Sequence, residues 1–531
     1  MKILYNAHIH SLDQSRPQAS VLVIDRERVA AIGGPELLDS FGARASREDM
    51  GGRTILPGLT DAHLHLQYYA LGLQKVDVET PTKAEALRRV AERVAQTPPG
   101  KWVLGHGWQQ NDWSDGASNG EFPTADDLDA ISTAHPILLT AKSLHAAWAN
   151  STALKLAGIT PDSPDPENGK IVRNTSGQPT GILLETAMEI GLAATPAETS
   201  SDVAEAIAQA QTNLWKLGLT GVHDFDRRTC FMALQQLRQD GRLKLRVVKN
   251  LPVELLPQAS ALGLRSGFGD DFLRIGSIKV FMDGALGPRT AAMFQPYLNE
   301  PSNRGILNID GEEFFEHGRQ AAESGLSMTV HAIGDRAVHE VLDGFEQLRS
   351  YERENRLPAL RHRIEHVQII HPDDAGRLGK LNIIASMQPI HATSDMFAAE
   401  RYWGERTRLS YAWRTQLNHG AVLAFGSDAP VESPNPFWGL RAAVTRQRVD
   451  GAPAPEGWIP EEKLTMPEAL AAYTTGPAYT AGWEDRLGRL SPGTLADLIV
   501  LENDPFTCHP DELTEMHSAA TMVGGEWVYQ H

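Results

Sequence analysis

The stretch ILPGLTDAHLH, residues 55–65, decides the fold. An apolar run punctuated by Pro57 and Gly58 ends in His63 and His65, and in a strand residues i and i+2 point the same way. Both imidazoles can therefore face one interior and share an ion, with Leu64 on the opposite side. Comparable residues lie at the ends of other apolar runs: Lys279 in IGSIKVFMDG, His331 in LSMTVHAIGD, His366 in RIEHVQ and Asp428 in AVLAFGSDAP. Four imidazoles, a lysine and a carboxylate from distant strands suit a metal centre that activates water. Parallel strands separated by helices bring such ends together at one mouth of a barrel.

Outward from that stretch the chain reads as a βα alternation. Strands are expected at 220–225, 245–250, 277–283, 327–332, 363–367, 383–389 and 422–428. Helical spacing fills the gaps, as in Val203, Ile207, Ala210 and Leu214, or Val338, Val341, Leu342, Phe345 and Leu348. The expected fold is α/β, a TIM-like (β/α)8 barrel over 56–484. The β-rich ends, 1–55 and 485–531, are expected to pair in a small β-sandwich, since neither buries both faces of a sheet alone.

Residues 66–200 are too long for a βα connection and read as an inserted subdomain that roofs the site. It opens with a helix, TKAEALRRVAERVAQ, in which Thr82 and Glu85 can form a capping box. The Trp-rich WVLGHGWQQNDWSDGASNGEFPT follows. Trp108 and Trp113 are read as flat apolar walls for substrate. The competing reading packs them into the insertion's own core, the commoner fate of any one Trp.

With 531 residues, 41% apolar and 22% charged, the chain can bury a substantial core. A net charge of −18 argues against a nucleic-acid surface. Two distant cysteines, Cys230 and Cys508, exclude a disulfide scaffold and a four-thiolate zinc site. The N-terminus lacks the apolar core of a signal peptide, and no apolar run approaches the ~20 residues of a membrane span. A cytoplasmic protein with a small-molecule substrate is expected, with neither nucleic acid nor membrane as partner; a homodimer is compatible with these features. There is no G-x-S-x-G elbow and no H-E-x-x-H helix.

Lys279 shares its strand face with Phe281 and Asp283, where a barrel interior makes an unpaired ammonium costly. Either it pairs with a carboxylate, or its neutral amine adds carbon dioxide to give an anionic carbamate able to bridge two metals. Company with the other five residues favours the carbamate. His362 shares the parity of His366 but lies about 13 Å back along the strand, and is excluded. His8 and His10 repeat the H-x-H spacing away from the barrel and are read as surface or packing residues. Asp428 could also cap the next helix.

The series DAHLH, IKVFMDGALG, VHAIGD, RIEH and GSD resembles the amidohydrolase superfamily. The longer IKVFMDGALGPRTA and GHGWQQNDW resemble its branch containing N-substituted formamide deformylases. The similarity runs over essentially the whole chain, including SPGTLADLIVL. The resemblance implies that His63, His65 and Asp428 hold one metal and His331 and His366 another. Carboxylated Lys279 would bridge them, and Asp428 would be the catalytic acid and base. Ala285 departs from the branch, which often has a hydroxyl residue there. Gln109 and Gln110 depart where acidic residues are common.

The expected cofactors are one or two Zn2+ or other divalent ions, with the Lys279 carbamate. The expected reaction is hydrolysis of an amide, N-formyl or N-acyl C–N bond by a metal-bound hydroxide. Alternatives are a lactonase or esterase, a deaminase, or a non-catalytic binding protein on the same scaffold. His145, Arg289 and His391 are expected to contact substrate, and His223 to support the ligands.

Overall fold

The computed structural model describes residues 1–41, 45–110, 113–114, 122–141, 146–166 and 169–531. Its centre is a parallel sheet of eight strands in chain order: Leu59–Leu64, Leu219–Asp224, Arg246–Pro252, Leu273–Phe281, Met328–Ala332, Arg363–His366, Ile384–Met387 and Leu423–Phe425. The first and last strands come together at the seam, where Asp428 N donates to His63 O (2.7 Å) and His65 N to Ala429 O (2.8 Å). The expected (β/α)8 barrel is present.

Local sequence explains the alternation. The helix Ser200–Lys216 buries Val203, Ile207, Ala210 and Leu214, and ends just before Gly218, whose φ of 81° only glycine adopts without strain. The helix Asp335–Glu354 buries the predicted stripe from Val338 to Leu348. The last two strands stop two and three residues before their expected ends. The seventh stops at Met387 because Pro389 opens the helix Pro389–Trp403. The eighth stops at Phe425, and Asp428 beyond it takes a φ of 61°.

The chain ends join in one hydrogen-bonded set of eight strands. Thr54–Pro57 explains the continuity: it pairs antiparallel with Leu498–Leu501 and, through its first residues, parallel with Lys2–His10. Leu4, Ile24, Ile55, Leu498 and Met522 share one apolar core drawn from both ends. This sheet is tied to the barrel by Arg246, whose Nη2 donates to the buried Asp497 Oδ1 at 2.7 Å.

The chain divides into two compact units, Met1–Tyr69 with Val203–His531, and Ala70–Asp202. The second contains a six-stranded sheet, from Val76–Asp77 through Val103–Trp108, Ile137–Ala141, Ala146–Ala149 and Pro179–Glu185 to Gly169–Arg173. Its helix Lys83–Gln96 is capped by Thr82, which accepts from Glu85 N, while Arg88 and Arg89 engage the Glu85 carboxylate.

Candidate metal centre

The six residues singled out in the sequence lie at the strand ends of the barrel. His63 is wholly buried and donates Nδ1–H to Glu365 Oε2 at 2.6 Å. A carboxylate only accepts, so this bond leaves the His63 Nε2 lone pair free, and Nε2 lies 3.4 Å from Asp428 Oδ1. His65 repeats the arrangement, with Nδ1 on Asp226 Oδ1 at 3.0 Å and Nε2 3.5 Å from the same Asp428 oxygen. His366 donates Nδ1–H to Gln388 Oε1 (2.8 Å), leaving Nε2. His331 donates Nε2–H to Gly284 O (2.9 Å), leaving Nδ1. Ring centroids of His331 and His366 stand 4.6 Å apart, and those of His63 and His366 4.9 Å. His63, His366 and Asp428 each offer a ligand atom within 4.8 Å of the others.

Backbone geometry puts His366 there. Arg363 and Glu365 face the barrel interior, where Arg363 Nε meets Glu365 Oε1 at 2.8 Å. Strict alternation would send His366 outward, but its φ of 76° breaks the alternation. Such a conformation is costly for a non-glycine residue and persists only where its surroundings enforce it.

The electrostatics follow from burial. Desolvation lowers His63 to about 4 and His331 to about 3, with the Lys279 charge adding to both, so these imidazoles are neutral. Burial likewise holds His366 well below its ordinary value. At His65 burial is outweighed by the hydrogen bonds to Asp226 and Asp428, and its pKa rises to about 9. Burial opposes the charge of Asp428, but His63, His65 and His366 overcome it and hold the carboxyl well below the usual range. Burial pulls Lys279 down to about 8 against the pull of Glu365 and Asp428. Among the described residues no carboxylate pairs with its Nζ, which sits 4.6 Å from the Phe225 ring centre and 4.8 Å from that of Phe281.

This donor set fits a divalent cation. Imidazole lone pairs converge on a carboxylate while each ring's other nitrogen is committed elsewhere, an arrangement that needs positive charge among them. His391 adds to the convergence. It lies in the first turn of Pro389–Trp403, with its otherwise unpartnered Nε2 3.9 Å from Asp428 Oδ2 and its Nδ1 3.3 Å from Gln368 Nε2.

Other expected contacts fall differently. Trp108 is fully buried in the core of the insertion and donates to Leu139 O at 2.9 Å; Trp113 is buried in the same cluster, against Trp148. Their reading as substrate walls gives way to the packing reading, because an indole enclosed by its own core presents no face to a ligand. Arg289 is engaged by Glu300 at 2.6 Å and lies over the Tyr402 ring. His145 lies outside the described residues. His223 accepts from the buried Arg363 Nη1 at 3.1 Å, and Arg363 holds Glu365, so His223 stands three contacts from His63, through Arg363 and Glu365. At Ala285 the backbone N–H donates to Thr290 Oγ1 (3.0 Å).

Sequence reasoning missed Glu365, Asp226 and Gln388, which fix the ligand tautomers. Glu365 directly precedes His366, and an acid on an interior barrel face was a usable signal. Nothing local marked Asp226 or Gln388.

Comparison with known proteins identifies the family. Residues 48–529 match the family described as amidohydrolase family. The chain is 32% identical to Protein LONG AFTER FAR-RED 3 of Arabidopsis thaliana, covering 99% of this chain and 91% of the relative. It is 29% identical to an N-substituted formamide deformylase of Arthrobacter pascens, covering 99% and 98%. The crystal structure of an uncharacterized metal-dependent hydrolase from Pyrococcus furiosus superposes with a TM-score of 0.77 at 31% identity, covering 95% of this chain and all of that one. No helix among the described residues is long and apolar enough to cross a membrane. With the family matched over residues 48–529 and the candidate ligands gathered at one mouth of the barrel, the chain belongs to the amidohydrolase family and is a metal-dependent hydrolase of carbon–nitrogen bonds.

Proposed function

We propose that the chain hydrolyses the C–N bond of an N-formyl or N-acyl amine carrying an apolar, aromatic portion. One observation carries the reading: Asp428 shares Oδ1 between His63 and His65 and keeps Oδ2 open toward His391. The carboxylate is thus anchored on one side and free to handle a proton on the other.

His63, His65, His331, His366 and Asp428 would hold one or two divalent ions, with Lys279 as a carbamate between them. Imidazole and carboxylate ligands suit zinc. Such an ion supplies Lewis acidity, acidifying water and polarising a carbonyl. Asp428 Oδ2 takes the proton of the attacking water and returns it to the leaving nitrogen, a positioned transfer commonly worth ~10²–10⁴-fold. Its lowered pKa keeps it ionised, the form that can accept a proton. His391 Nε2–H, 3.9 Å from Asp428 Oδ2, would donate to the substrate carbonyl oxygen. Burial leaves part of Lys279 as the neutral amine that carbon dioxide requires.

The aromatic portion is supported by Phe281, half exposed beside His331 with ring centroids 5.2 Å apart, and by Tyr68 beside His65. The name of the Arthrobacter relative supports the formamide class. The test is a panel of aryl and benzyl formamides, N-acyl amines, lactones and aryl amines with the metal-loaded enzyme. Turnover of the formamides or N-acyl amines is expected. Turnover confined to lactones or to deamination overturns the substrate class.

A further inference from the structure

One helical turn beyond His391, a cavity of about 470 Å³ is lined by Ile390, Ser394, Glu432, Trp438, Arg441 and Arg448, among others. That is room for a ring-sized substituent. Its lining includes chain neighbours of the metal centre: Ile390 precedes His391, Glu432 follows Asp428 by four residues, and the charges of His391 and Asp428 act on the Glu432 carboxyl.

The charges of this cavity are unevenly satisfied. Arg441 is engaged by Asp511 and by Gln447 O, each at 2.7 Å. Arg448 is engaged by Asp450 at 3.2 Å. Glu432 takes a hydrogen bond from Ser394, but among the described residues no lysine or arginine pairs with it. Burial, with Asp395 and Asp428 nearby, pushes its carboxyl up against the influence of Ser394 and His391. A partly buried carboxylate in that position is complemented by a cation. Trp438 lines the same cavity, 40% exposed, and its indole N–H is occupied by Thr514 O. What it offers is its ring, which attracts cations.

We infer that this cavity is a distal substrate subsite in which Glu432 and the face of Trp438 hold a cationic nitrogen. The substrate class is then an N-formyl or N-acyl amine with a second, protonated amine about one ring away from the scissile bond. This rests on the C–N reading above.

Binding and turnover separate the two claims. Calorimetry at pH 7.5 compares benzylammonium with benzyl alcohol, matched in size and differing in charge. The wild-type metalloenzyme should bind the ammonium about tenfold more tightly, as a partly desolvated charge pair allows. Glu432→Gln, close to isosteric, should bring the two affinities together, and Trp438→Leu should weaken the ammonium more than the alcohol. No preference in the wild type, or a preference that survives Glu432→Gln, overturns the subsite. In turnover, N-formyl-4-(aminomethyl)benzylamine should exceed N-formyl-4-methylbenzylamine in kcat/KM, with the difference in KM. If the binding preference holds but neither formamide is cleaved, the subsite stands and the substrate reading fails. If both are cleaved with equal efficiency, the subsite fails and the C–N reading stands.

Discussion

His63 on the first barrel strand and Glu365 on the sixth are joined by an Nδ1–Oε2 hydrogen bond of 2.6 Å, across 302 residues of sequence. Glu365 is in turn held ionised: burial disfavours its charge, but Arg363 and His63 outweigh that cost. The pair sets the tautomer that aims His63 Nε2 at Asp428.

Glu365→Gln should therefore weaken metal binding without removing a ligand. A lost partner behind a metal-bound histidine typically costs about 10–100-fold in affinity or activity. Competition against a chromophoric chelator reads the affinity, and excess metal should restore part of the activity. Unchanged affinity would mean that the hydrogen bond does not orient the ring.

Lys279→Ala should lose metal and activity together, and acetate should restore a fraction of both by replacing the bridging carboxylate. In the wild type, ¹³C-labelled bicarbonate should give a carbamate resonance that Lys279→Ala abolishes. A fully metal-loaded, active protein with a bare lysine amine would return Lys279 to the ammonium reading.

Asp428→Asn should remain folded and lower kcat by at least about 10²-fold, because the amide cannot take the proton. Its melting temperature, compared in the same metal-free buffer as the wild type, separates lost chemistry from lost fold.

Metal uptake should tighten as pH rises toward 9. His63, His331 and His366 are held neutral at pH 7 by burial, and Asp428 is already ionised. His65 is raised to about 9 by Asp226 and Asp428, so a cation must displace its proton. From this group alone, affinity should gain about tenfold per pH unit below 9 and level off above it. Chelator competition at pH 6.5, 7.5 and 8.5 tests the slope. Lys279, lowered to about 8, releases two further protons where its ammonium form takes up carbon dioxide as a carbamate.

Trp108→Ala should act on stability. The indole is fully buried in the core of the insertion, and such truncations cost about 3–5 kcal/mol. Thermal melting should show the loss, while Trp108→Phe should recover most of it with KM little changed. A large rise in KM with unaltered melting would restore the substrate-wall reading.

The barrel and the strand-end positions of the candidate ligands were legible because the signals are local. Alternation makes His63 and His65 share a face, the helical stripes from Val203 and from Val338 mark what separates the strands, and each candidate ligand lies near a strand's C-terminal end. The six-stranded sheet of the insertion was not legible, since runs as short as Ile137–Ala141 carry no period that separates a strand from a buried helix. Tertiary structure alone decided which nitrogen of each histidine is free, because Glu365, Asp226 and Gln388 reach their rings only through space. It also decided the direction of His366, whose positive φ overrides the alternation its strand implies. The enclosure of Trp108 is likewise tertiary: what surrounds a side chain depends on packing, which sequence spacing does not encode.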